Sequence, residues 1–287
     1  MNYVLILTPF KDNKVMKLSI YIGKREAESD LRISSLIEEL QSGGCEINIL
    51  AEDEVPASDT DMLFSVGGDG SFLSASMLVA ESGIPVVGVN AGRLGFLSEN
   101  RPEDVAKAIL SGDYATERRS LLEIGVSSES PDISEWPYAL NEVTVHRSGA
   151  AMLGVDVSID GICLPTYWAD GLVISTSSGS TAYSLSVGGP IVLPESKVLI
   201  VSPIAPHNLN VRPLVVPDTS EIVLKPHSRD GRFILTADNR TAEVSEDTVI
   251  HIAVAQFSLN RVRLNRSNFI NALTEKLFWG EDIRNIK

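Results

Sequence analysis

Apolar residues follow two different rhythms along this chain. Up to about residue 100, short apolar runs alternate with stretches of helical spacing. Residues 3–8 read as a first strand. The pattern predicts a long helical segment over about 13–42, where Ile33, Leu36, Ile37 and Leu40 share a face and Gly43-Gly44 end the helix. A strand is expected over 46–50, then an acidic loop to Asp61 and a strand over 62–64. A helix follows over 72–80, and Gly83-Ile84-Pro85 leads into a buried strand over 86–89. Strands alternating with helices imply a parallel sheet covered on both faces. A short helix is expected over 102–111. From about Tyr114 the rhythm shortens, with strands expected over 122–126, 143–147, 154–159, 172–176, 197–201, 221–225, 233–236 and 251–254. A last helix is expected over 268–279, with Phe269, Leu273 and Leu277 on one face. The expected fold is an α/β N-terminal domain with a parallel sheet, residues 1–100, joined by the helical segment 268–287. A β-rich, sandwich-like C-terminal domain covers 113–265.

Composition narrows the function. The chain has 287 residues, 44% of them hydrophobic, enough for a sizeable core. A net charge of −14 and a pI near 4.7 argue against a general nucleic-acid or anionic-membrane surface. An anionic nucleotide would therefore need a local cluster of cations, metal ions or backbone N–H groups. Cys45 and Cys163 have no metal-ligand spacing; two unpaired thiols suit a reducing cytoplasm, and both are expected to be inert core residues. The four histidines are scattered, so no metal-ligating residues are assigned. The N-terminus lacks a basic n-region and no apolar run is long enough to span a bilayer, so a cytosolic protein is expected.

The richest chemistry lies at Ser65-Val66-Gly67-Gly68-Asp69-Gly70-Ser71, where a buried strand turns into a helix. Gly67, Gly68 and Gly70 permit close backbone approach, and the helix start offers free amides and partial positive charge, a cradle for phosphate. Asp69 sits in its middle, placed to take a proton from a hydroxyl during phosphoryl transfer. The competing reading is a tight turn with Asp69 as an N-cap.

Other segments are polar in ways that suit a sugar or phosphate. Asn141-Glu142 opens a strand, either to grip the two hydroxyls of a ribose or to cap the strand end. Asp170 begins an apolar strand that runs into a loop dense in hydroxyls and glycine, from Ser175 to Ser186. Arg212 suits a phosphate, a carboxylate or a structural ion pair equally. No Walker A loop, Rossmann fingerprint or nucleophile elbow is present.

In this order, these segments resemble NAD kinase, over nearly the whole stretch from Met62 to Arg240. Gly67-Gly68-Asp69-Gly70 is shared with diacylglycerol and sphingosine kinases and phosphofructokinases. Asn90 through Leu97 with its Leu94-Gly95-Phe96-Leu97, the Asn141-Glu142 pair, and Asp170-Gly171 with Gly179-Ser180-Thr181-Ala182-Tyr183 are more specific. The resemblance implies the two-domain fold with an active site in the cleft between domains, and a homodimer or homotetramer. It implies transfer of phosphate from ATP to NAD, giving NADP, with a divalent cation, normally Mg²⁺. It makes Asp69 the proton acceptor, with Asp69 and Gly70 contacting NAD and Asn141 and Glu142 holding a ribose. Asp170 falls by the nicotinamide half or by the adenine of a neighbouring subunit's ligand. Ser178, Thr181, Ala182, Tyr183, Ser184, Leu185 and Ser186 line the NAD pocket, and Ala205 and Arg240 are further ligand contacts. Trp168 stands where relatives often carry a small or charged residue, and Arg240 where Gln or Asn is common.

Two rival readings remain at this level. A lipid kinase would use the same glycine turn, but the acidic balance and lack of a basic amphipathic helix count against it. A nucleotide sensor without turnover is disfavoured by the intact Asp69.

Overall fold

The structure, a computed structural model, describes residues 15–23, 27, 29–51, 54–92, 95–128, 131–265 and 267–279. The chain divides into two compact units, 1–118 with 259–287, and 119–258. In chain order the strands and helices begin with β1 (Lys17–Ile22), α1 (Leu31–Ser42), β2 (Glu46–Ile49), β3 (Met62–Gly67), α2 (Asp69–Val79), β4 (Val86–Asn90), α3 (Pro102–Ser111) and β5 (Tyr114–Val126). They continue with α4 (Pro131–Ser134), β6 (Tyr138–Ala139), β7 (Glu142–Arg147), β8 (Leu153–Ile159), β9 (Ile162–Cys163), β10 (Tyr167–Ala169), β11 (Gly171–Thr176), α5 (Tyr183–Ser186) and β12 (Val198–Ile204). The chain finishes with β13 (Leu214–Pro217), β14 (Ile222–His227), β15 (Arg232–Ala237), β16 (Arg240–Ser245), β17 (Ile250–Leu264) and α6 (Phe269–Leu277).

In the first unit β2, β1, β3, β4 and the end of β17 form a parallel sheet in that order. Every residue of β3 and β4 is buried, as a strand covered on both faces requires. Ile33, Leu36 and Leu40 of α1 and Val105 and Ile109 of α3 pack on the sheet residues Leu18, Ile20, Phe64, Val66, Val87 and Val89. Asp30 caps α1 by accepting from the Arg32 amide, and Gly112, at φ 72°, closes α3.

One expectation fails here. The predicted helix over 13–42 is a strand, β1, followed by the shorter helix α1. Leu18, Ile20 and Ile22 alternate with Ser19 and Tyr21, a period of two that the helical spacing farther on obscured. The strand expected over 3–8 lies outside the described residues.

The second unit is antiparallel. Six strands run in the order β13-β12-β11-β7-β15-β16, and β10, β8, β14 and the start of β17 form another sheet. Val143, Leu172, Leu199 and Leu235 of one and Val155, Val157, Ile222 and Ile252 of the other share a single core, the sandwich that the alternation predicts.

Candidate functional site

The glycine turn sits where β3 ends. Gly67 has φ 149°, and a Cβ there would lie 2.1 Å from the Ser71 hydroxyl, so no other residue fits. Gly68 is the N-cap of α2, and a Cβ at Gly68 or Gly70 would meet nothing within 4 Å. The turn thus uses Gly67 for its own packing and leaves bare backbone at Gly68 and Gly70. The first helical bond runs from Phe72 N to Gly68 O, so the amides of Asp69, Gly70 and Ser71 precede the ladder at the positive end of the helix.

Asp69 is the first helical residue rather than the N-cap. Its carboxylate accepts from a distant loop: Oδ2 from the Phe96 amide at 2.8 Å, and Oδ1 from the amides of Leu97 at 2.9 Å and Ser98 at 2.8 Å. The Ser98 hydroxyl donates to Gly68 O at 3.1 Å. Loop 95–98 is therefore strapped across the turn. Around it, Asn90 Nδ2 donates to Ser98 O, and Asn100 Nδ2 to Gly88 O. A Cβ at Gly88 would stand 2.4 Å from Leu97 O, which is why a glycine interrupts the apolar run of β4. Arg261, 2% exposed, ion-pairs with Glu99 at 2.6 Å and Glu117 at 3.3 Å and donates to Leu97 O. The backbone of Leu97 is thus held on both sides of its Cα, its N–H by a carboxylate and its C=O by a guanidinium. A carboxylate offers about four acceptor positions; with three taken, Oδ2 of the half-exposed Asp69 retains one.

The second unit repeats this device. Asp238 opens the β15–β16 turn at φ 51°. Its carboxylate accepts from the amides of Leu140 at 2.7 Å, Asn141 at 2.8 Å and Glu142 at 3.2 Å. Asp238 was not among the sequence candidates; the signal available was an Asp at the head of a two-residue hairpin turn, where positive φ is tolerated.

Asp238 fixes the start of β7, and with it Glu142. The Glu142 side chain is buried and its pKa is pushed up to about 8, first by burial and then by the charge of Asp238, against a hydrogen bond from the Tyr183 amide. Burial also raises Asp238, opposed by its three amide donors and Arg240. Oε2 of Glu142 is sealed from solvent without a hydrogen-bond partner among the described residues. Next to it, a Cβ at Gly179 would stand 2.1 Å from Asn141 O, so the hydroxyl loop closes directly on the Asn141-Glu142 segment.

That loop is largely engaged with itself. Thr176 Oγ1 donates to Leu140 O, Ser177 to Pro194 O, Ser180 to Ser177 O and Thr181 to Ser178 O. Ser178 is buried, and Ser184, fully buried, pairs with Ser202 at 3.3 Å. Thr181, Ala182 and Leu185 are half-buried, and Tyr183 and Ser186 are exposed. Asp170 is paired with Arg147 at 2.8 Å. Ala205 is exposed at φ 44°, a strained position for a residue with a Cβ, just past β12.

The Arg240 guanidinium donates to the carbonyls of Trp136 and Tyr138, and Arg212 donates to Leu209 O and Val211 O. Cys163 is exposed, not a core residue, because β9 is a two-residue surface hairpin strand; burial raises the thiol of half-buried Cys45. The Trp168 ring lies on the bare backbone of Gly154, where a Cβ would come within 2.7 Å. Among the described residues no group of three or more His, Cys, Asp or Glu is placed to hold a metal ion.

Family models match both parts of the chain: the ATP-NAD kinase N-terminal domain over residues 18–112 and the ATP-NAD kinase C-terminal domain over 140–264. An NAD kinase of Flavobacterium psychrophilum is 44% identical over 229 residues, 78% of each chain. One from Bacteroides fragilis is 38% identical over 94% of this chain and 100% of its own. Among solved structures, an NAD kinase from Archaeoglobus fulgidus in complex with ATP aligns with a TM-score of 0.75 at 27% identity, over 92% of this chain and 99% of that one. Yeast NADH kinase complexed with NADH aligns at 0.80 and 23% identity, over 96% and 91%, a likeness of fold.

Proposed function

The chain belongs to the NAD kinase family, and from that premise we propose that it transfers the γ-phosphoryl group of ATP to the 2′-hydroxyl of the adenosine ribose of NAD, giving ADP and NADP. The lipid-kinase reading loses its ground with the family match. The observation that carries the mechanism is the Asp69 carboxylate, held by three amides at the start of α2 with one acceptor position left on Oδ2. In this reading the ribose oxygen attacks the γ-phosphorus in line, the bond to the β-phosphate oxygen breaks, and the hydroxyl proton passes to Asp69. A base within roughly 3 Å of that proton contributes about 10²–10⁴-fold. The bare backbone of Gly68 and Gly70 and the amides that open α2 receive phosphate oxygens.

Asn141 and Glu142 hold a ribose of NAD. The orphaned Oε2 of Glu142 supports this assignment, because a sugar hydroxyl is the partner it lacks. Asp69 and Gly70 also contact NAD, and Ser178 and Thr181 to Ser186 shape its pocket. Within that stretch the buried Ser184 acts by fixing the loop through Ser202. Asp170, Ala205 and Arg240 complete the proposed contacts, Arg240 by holding the 136–138 backbone. A divalent cation, Mg²⁺ in this reading, would come with the ATP phosphates held at the Gly68-Asp69-Gly70 turn, and would supply charge neutralisation of the transferring group there. No described helix is long and apolar enough to cross a membrane. The reading extends to a cytoplasmic homodimer or homotetramer, which light scattering measures. The direct test is incubation of the purified chain with ATP, Mg²⁺ and NAD: NADP and ADP are expected in equal amounts, and ADP without NADP would overturn the proposal.

A further inference from the structure

One buried cation near the glycine turn has no role in this scheme. Lys276 lies in the last turn of α6, the C-terminal helix that Asn268 caps through the Asn271 amide. Its Nζ is sealed from solvent and makes no hydrogen bond among the described residues. It stands 4.2 Å from the centroid of the Phe96 ring, which also packs on Phe269 with centroids 6.0 Å apart. Phe96 supplies the amide that holds Oδ2 of Asp69.

A buried ammonium without hydrogen bonds costs several kcal/mol, and a cation over a ring returns only about 0.5–2. A methionine of similar length would fill the same space with greater stability, so packing does not explain the charge. The groups facing it are Glu99, Asp69 and Glu275, which favour the cation, and Arg261, which opposes it. Arg261 is already committed to Glu99 and Glu117. We propose that Lys276 is a positioning residue for the proton acceptor: its charge holds the Phe96 ring, and through the Phe96 amide it aims the Asp69 carboxylate. The inference rests on Asp69 acting as proposed above. Burial pulls the Lys276 ammonium down to about 8, ahead of the charges that raise it, so its proton leaves in mildly alkaline solution.

Two variants and three readings test it in the 287-residue chain. In Lys276→Met, kcat is expected to fall about 10- to 100-fold with the KM for NAD unchanged, while Tm stays level or rises. In Lys276→Arg, which keeps its charge, activity is retained and the alkaline fall of kcat above about pH 8 disappears. The ¹³C shift of the Asp69 carboxyl in the unliganded chain is expected to move in Lys276→Met, a reading that needs no turnover. Parent-like kcat in Lys276→Met, a large loss of Tm there, an unchanged alkaline limb in Lys276→Arg, or an unmoved Asp69 signal would each overturn the inference. If the parent made no NADP, the kinase reading would fail while the Asp69 signal still judged the contact.

Discussion

A Cβ at Gly95 would stand 1.9 Å from Oδ1 of Asp69. The loop glycine and the turn carboxylate are therefore one unit, although 26 positions separate them in the sequence. Gly95→Ala forces the carboxylate to turn away from the Phe96, Leu97 and Ser98 amides. Unpaired groups of this kind cost about 1–3 kcal/mol, and displacement of a reacting group by an ångström costs about 100-fold in rate. Lower Tm and a kcat down by about that factor are expected together. Gly125→Ala, where the new Cβ meets only an ordinary 3.5 Å contact, is the control and should leave both nearly unchanged.

The Asp238 clamp makes a parallel prediction for the second unit. Asp238→Asn puts an NH₂ group where a carboxylate oxygen now accepts from Leu140 or from Asn141 and Glu142. A loss of about 1–3 kcal/mol in stability is expected. NAD affinity, measured by calorimetry, should fall with it, because Asn141 and Glu142 lose their anchor. Arg212→Ala, which removes donors to the loop carbonyls of Leu209 and Val211, should leave NAD affinity alone.

Glu142 ties both stability and binding to pH. Its folded value, about 8, lies above its ordinary 4.5, so the folded chain holds this proton longer than the unfolded one. The stabilisation is fully present below about pH 4.5 and is lost as pH rises through about 8. Glu142→Gln removes this dependence, so its Tm should improve relative to the parent between about pH 5 and pH 9. Binding runs the opposite way. Ribose hydroxyls donating to Oε2 favour the ionised form, so NAD affinity in the parent should rise about tenfold between about pH 7 and pH 9 and stay flat in the Gln variant.

Much of this was legible in the sequence where the causes are local. Apolar runs ahead of the glycine turn and after Pro85 gave β3 and β4, and alternation gave most strands of the sandwich. The glycine turn, the Asn141-Glu142 segment and α6 were each visible as patterns. What stayed hidden depends on pairing across distance. The three donors to Asp69 lie 27 to 29 residues away, and the donors to Asp238 lie 96 to 98 away. Periodicity carries no trace of such contacts. The Ser184–Ser202 pair was hidden too, because a hydroxyl looks the same in a pocket and against another side chain. The strand β1 was absorbed into a helix because its six residues adjoin a longer helical rhythm.

The central claim is that Asp69 takes the proton from the sugar hydroxyl. The measurement that tests it most directly is kcat of Asp69→Asn beside its calorimetric affinity for NAD. Turnover is expected to drop by about 10²–10⁴-fold while NAD still binds. Full turnover in that variant would contradict it.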